Sequence, residues 1–198
     1  MQEEIILKLK NNIDLKLDEL QMIRNFSDYN TLCNIFGKKH VARIPEKINE
    51  ETICYVGDLI IEKIYPTYNL KYIFGILNYT LDEVYNLENL IFVEDSVFFN
   101  FIKNAFGLEN LKYIGGHACF NKLKNSDGLD SLIGIENDAS FAFLEDASGL
   151  NNLEFIGNSA FFPTLHNYDG FTKLNYIGGE QKIGGLNLYD YKIRCLKK

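Results

Sequence analysis

His117 and Cys119 stand two residues apart, a spacing that sends both side chains from one face of an extended segment. A thiol beside an imidazole is material for nucleophilic catalysis, which needs contact between the two and a third group to orient the base. The sequence marks no third group, so the pair reads as two neighbours on a strand. His166 occupies a turn position whose equivalents are Lys103, Lys124 and Glu145, which makes it a solvated side chain. Asp127, Asp169 and Asp190 recur at one position and would stack into a cation ladder, but the copy at 148 is Ser. The expectation there is a turn brace, a carboxylate accepting from nearby backbone N–H groups. No glycine-rich phosphate loop, HExxH, GxSxG or calcium-loop pattern occurs, and Gly115-Gly116 and Gly178-Gly179 belong to a repeat register instead. Cys33, Cys54, Cys119 and Cys195 lie far apart with no CxxC pair, which encodes neither a zinc site nor a disulfide framework. These residues predict a protein that is not an enzyme, with no metal and no cofactor.

The elements that carry these side chains belong to a chain of 198 residues, 46% hydrophobic and 24% charged, which fits one folded domain or at most two small ones. Twenty Lys and Arg against 27 Asp and Glu leave a net charge of −7. A direct nucleic-acid binder needs the opposite excess to displace phosphate counterions. The apolar stretches, such as 90–93, fall far short of a membrane span. The start of the chain carries Glu3 and Glu4 where a signal peptide carries bases, and the unpaired cysteines suit a reducing compartment. The expected location is cytoplasmic, with no membrane partner.

Self-similarity dominates the sequence. Gly107, Gly128, Gly149 and Gly170 follow one another at intervals of 21 residues, and Asn86 opens the same phrase one period earlier. Five columns run through the copies. Leu90, Leu111, Leu132, Leu153 and Leu174 form one; Val93, Ile114, Ile135, Ile156 and Ile177 a second. Val97, Ala118, Ala139 and Ala160 form a third, broken at Gln181. Phe99, Phe120, Phe141, Phe162 and Ile183 form a fourth, and Ile102, Leu123, Leu144, Leu165 and Leu186 a fifth. Columns that keep both size and polarity mean copies stacked in register, each burying its neighbours' apolar faces. The recurring Gly suits a bend with positive φ, which Asn also tolerates. Upstream, Asn69–Ile73 resembles Asn110–Ile114, and Tyr55–Ile61 reads as a strand-like coil of irregular spacing.

The phrases Leu153-Glu154-Phe155-Ile156-Gly157-Asn158-Ser159-Ala160-Phe161 and Leu111-Lys112-Tyr113-Ile114-Gly115-Gly116-His117-Ala118 resemble the leucine-rich repeat superfamily. The likeness is to the bacterial surface-antigen type with its I-G-x-x-A-F phrase and to receptor-L-domain repeats. It covers residues 86–186 well, 53–85 poorly and 1–50 not at all. The resemblance implies a right-handed coil with a sheet on one face, used to bind proteins or, less often, sugars.

The predicted fold is therefore α/β or mainly β: a right-handed, leucine-rich-repeat-like solenoid of about 21-residue coils with a helical N-terminal cap. Residues 1–50 form the cap, 51–85 irregular coils, 86–186 regular coils and 187–198 a closing segment. Ile5, Ile6, Leu9, Ile13, Leu15, Leu17, Leu20, Met22 and Ile23 give the cap a helical stripe, and Asp28 or Ser27 caps a further helix ended by Gly37. The stripe predicts a cap packed on the first coil, with a helix for partner binding or dimerisation as the alternative.

The charge map points to a partner. Residues 87–180 hold thirteen acids and five bases, and 125–172 contain no Lys or Arg. Such imbalance sets up a field that attracts a basic surface, although net charge also serves solubility. The candidate contacts are Asp95, Glu136, Asp138, Glu145, Asp146 and Glu154, with the aromatics Tyr113, Phe155 and Tyr176 in one column and Phe98 and Phe161 in another. Spacing alone leaves these aromatics as either outward side chains or a second core layer. The expected function is a non-enzymatic protein-binding module whose partner has a basic surface. Two alternatives stand beside it. One is an anti-defence (anti-CRISPR-like) or immunity-type inhibitor, of bacterial or phage kind, that fills the basic nucleic-acid channel of a nuclease effector. The other is a surface adhesin or carbohydrate-binding repeat protein. The oligomeric state is not encoded.

Overall fold

Strands of two or three residues have no stability of their own and exist only where a neighbour above and below completes each ladder. The repeat columns supply that arrangement. The computed structural model describes residues 2–11, 13, 15–24, 28–67, 69–178 and 182–183. Three helices come first: α1 (Gln2–Lys10), α2 (Leu17–Ile23) and α3 (Tyr29–Phe36). A short strand, β1 (Val41–Ala42), follows, and then each coil contributes two strands. The first of each pair are β2 (Cys54–Val56), β4 (Tyr72–Phe74), β6 (Phe92–Val93), β8 (Tyr113–Ile114), β10 (Gly134–Ile135), β12 (Phe155–Ile156) and β14 (Tyr176–Ile177). The second are β3 (Leu59–Ile61), β5 (Leu77–Tyr79), β7 (Val97–Phe98), β9 (Ala118–Cys119), β11 (Ala139–Ser140), β13 (Ala160–Phe162) and β15 (Lys182–Ile183).

All pairing is parallel. One sheet runs β1-β2-β4-β6-β8-β10-β12-β14 and the other β3-β5-β7-β9-β11-β13-β15, so the chain is a β-solenoid of about six turns. Register partners Phe92, Tyr113, Gly134, Phe155 and Tyr176 are 21 residues apart, whereas Cys54 and Tyr72 are separated by only 18. This accounts for the blurred pattern upstream. A third line of contact, bridging Asn125 to Asp146 and Asp146 to Asn167, ties the turns on the remaining side.

Each coil carries two sheets, where the leucine-rich-repeat resemblance implies one. Neighbouring coils approach closely at the corner between them. A Cβ on Gly115 would fall 1.8 Å from the carbonyl oxygen of Glu94, and one on Gly157 1.8 Å from that of Glu136. At each of these corners the chain leaves one ladder and enters the other after three residues.

The interior matches the five columns as far as the described residues extend. Leu90 to Leu174, Val93 to Ile177, Val97 to Ala160, Phe99 to Phe162 and Ile102 to Leu165 are all buried. Phe99, Phe120, Phe141 and Phe162 stack face to face, with centroids 5.3, 5.1 and 5.1 Å apart and ring planes within 14°. Tyr79 heads the column at 5.2 Å from Phe99, its hydroxyl donating to Glu83 O and accepting from Tyr85 N. Gln181, Leu186, Asp190 and the segment 187–198 lie outside the described residues, as does the alternative cap Ser27; of Ile183, only the backbone is described.

The recurring glycines divide into two kinds. Asn86, Gly107 and Gly128 adopt φ of 59°, 95° and 93°, as the bend requires. Gly149 and Gly170 do not have positive φ. They are glycine for lack of space, because a Cβ would lie 2.1 Å from Ser126 O and 1.5 Å from Ala147 O. The turn braces also differ from the expected residues. Asn104, Asp146 and Asn167 accept from the N–H two residues on, and Glu109 and Asp130 from the N–H two residues back, in place of Asp127 and Ser148.

The helical segment packs on the first coil, at Val41 and Cys54, and reaches beyond it. Asp28 caps α3 by accepting from Thr31 N, and Gly37 at φ 90° ends it, as the pattern predicts. Ile5, Leu9, Leu15, Leu20, Ile23, Leu32 and Ile35 share one cluster with Cys54, Tyr72, Phe74, Phe92 and Tyr113. The helices thus lie along the outer face of the first sheet and span several coils. Ile13, counted in the stripe, is 52% exposed.

Candidate interaction surfaces

Outward positions of the first sheet form one register column: Val41, Cys54, Tyr72, Phe92, Tyr113, Gly134, Phe155 and Tyr176. A row of large aromatics on a sheet face must be covered or remain wet, and the helices cover it as far as Tyr113. Tyr113 is fully buried, which corrects its place among the expected contacts. Its hydroxyl donates to Glu136 Oε1, and burial together with that carboxylate pushes it well above the usual phenol range. Gln21 of α2 donates to the same oxygen at 2.7 Å. Glu136, expected to meet a partner, is therefore held by the chain's own helix. Nearby, burial raises the Glu94 carboxyl, with Arg24 opposing the shift. Phe155 is half-buried, its ring folded over Gly134 and 6.5 Å from Tyr113, while Tyr176 is 54% exposed.

The remaining acids fall into two kinds. Asp138 pairs with His117 at 3.0 Å and accepts from Ser159 N, Glu145 pairs with Lys124 at 3.2 Å, and Asp146 accepts from Ser148 N. Asp95 is exposed and accepts from Ser96 Oγ, and Glu154 is half-buried. Most of these carboxylates brace a turn or the next coil, although their charge still contributes to the field.

The outer face of the second sheet carries the column Ile60, Asn78, Phe98, Cys119, Ser140 and Phe161. No helix among the described residues lies over it: Ile60 is 51% and Phe161 54% exposed, and Phe98, Asn78, Cys119 and Ser140 are half-buried. Asn121 donates to Asn100 Oδ1 and Ser140 donates to Asn121 Oδ1, a polar string that fixes the rim. Along that rim Phe101 and Phe143 stand exposed, with the Lys122 ammonium 5.1 Å from the Phe101 ring. Sequence reasoning missed Ile60, Phe101 and Phe143. The signal for the last two was present, since 101 and 143 directly precede the buried 102 and 144 and so face outward.

The structure gives His117 the carboxylate partner that spacing did not reveal, but it does not make a nucleophile. Among the described residues no hydrogen bond joins Cys119 to His117, and burial, then the Asp138 charge, pushes the thiol up. His166 is exposed, as expected. Among the described residues no three His, Cys, Asp or Glu side chains converge as metal ligands, and no helix is long and apolar enough to cross a membrane.

No protein-family model matches the chain, and no curated protein or solved structure is detectably similar to it.

Proposed function

We propose that this protein is a non-enzymatic protein-binding module that offers the outer face of its second sheet to a partner with a basic surface. One observation carries the reading: one sheet is roofed by the chain's own helices, while the other keeps Ile60, Phe98 and Phe161 in an open column with Phe101 and Phe143 on its rim. Aromatic anchors on a backbone already locked in ladders lose little entropy on binding. The acidic balance of residues 87–180 favours basic partners and speeds their approach. The reading takes the coil as right-handed, of the leucine-rich-repeat kind, working in the cytoplasm.

Affinity capture from native cells tests it. Wild-type protein is expected to retain a partner that Phe98→Ser/Phe161→Ser loses and that Leu7→Ser, altered on exposed helix surface, keeps. A partner retained equally by all three, or turnover of a small substrate, overturns the reading. The lysine- and arginine-free stretch 125–172 favours one second reading, an inhibitor lodged in the basic nucleic-acid channel of a nuclease effector. Its affinity for such an effector would fall steeply with salt, whereas an aromatic-led contact would hold.

A further inference from the structure

The first sheet's aromatic column is longer than its roof. From Val41 to Tyr113 it lies under α1–α3, and from Gly134 onward it is open: Phe155 is half-buried and Tyr176 is 54% exposed. The edge of the roof is marked by the Gln21–Glu136 hydrogen bond. Strands in a sheet are about 4.8 Å apart, so the step from β10 to β14 leaves a bare strip about 10 Å wide, the spacing at which one helix packs beside another.

The roof itself shows what this face accepts. Leu20 and Ile23 of α2 are fully buried against it, and Gln21 delivers an N–H donor to the carboxylate at its margin. The bare strip repeats that pairing of aromatic floor and acidic margin with Phe155, Tyr176 and the half-buried Glu154. Its own stretch of chain contains no cation between 125 and 172, and the first beyond it, Lys173, donates to Asn152 Oδ1 at 2.6 Å. A partner's cation would meet no competitor from that stretch.

We propose that this strip docks one amphipathic helix of a partner protein, its apolar face on Phe155 and Tyr176 and a lysine or arginine against Glu154, extending the layer that α1–α3 begin. It is a second surface, independent of whether the second sheet binds anything. The probe is a synthetic Leu/Lys amphipathic helical peptide with a single Trp. The 198-residue chain has no Trp, so indole emission reports the peptide alone. Expected are saturable binding with a blue shift, about tenfold weaker binding to Glu154→Lys and to Tyr176→Ser, and unchanged binding to Phe161→Ser. No saturable binding, equal affinity for all variants, or equal binding of a Leu/Glu peptide of the same pattern overturns the proposal. So does a dimer in sedimentation that Tyr176→Ser dissociates, since a second copy would then own the strip.

Discussion

Cys119 and Asp146 show how successive coils move two titrations by different means. Cys119 loses water on the sheet face and sees the Asp138 charge, both of which favour the neutral thiol. It is expected to alkylate slowly at neutral pH and to speed up only in alkaline solution, and Asp138→Asn should speed it further. Site-resolved mass spectrometry after iodoacetamide treatment checks this; a rate already at its plateau at neutral pH would contradict it. Asp146 moves the other way, held below its ordinary 3.8 chiefly by the Ser148 N–H. A carboxyl with a depressed folded-state pKa contributes stability that is present above the unfolded value and lost as the pH falls through the folded one. Asp146→Asn should therefore flatten the fall in melting temperature between about pH 5 and pH 2. An unchanged slope would mean that other carboxyls govern acid unfolding.

Among the elements, the corner between the two sheets leaves no room for a side chain at Gly157. Gly157 faces the Glu136 carbonyl at a distance no Cβ survives, and the obstacle is backbone that cannot swing aside. Gly157→Ala is expected to destabilise by about 3 kcal/mol, the upper range for overpacking, read by urea unfolding. A loss under about 0.5 kcal/mol, the range of an ordinary surface change, would mean that the coils are less tightly stacked there. Gly134 makes a useful contrast, because its obstacle is the ring of Phe155, which can rotate away.

For the whole molecule, stability resides in interfaces between coils, each contributing to its neighbours only. Phe141 lies between Phe120 and Phe162 at 5.1 Å from each, fully buried. Phe141→Ala should cost about 3–5 kcal/mol, measured by chemical denaturation. A cost below about 1 kcal/mol would place that column outside the core. The roof adds a second, non-repeating interface, and Gln21 and Glu136 meet there across 115 residues of sequence.

What the sequence determined by itself is the interior. A column such as Leu111, Leu132, Leu153 is written again in every copy, and stacking in register is the arrangement that buries all copies at once. The irregular spacing of 18 between Cys54 and Tyr72 hid the early coils, although their strands pair as the later ones do. Only the tertiary structure decided which outward faces are open. The register treats Tyr113 and Tyr176 alike, yet one is sealed and the other 54% exposed. That difference comes from three helices that do not repeat and whose cover stops at the Gln21–Glu136 contact. A periodic pattern carries no information about where a non-periodic partner stops.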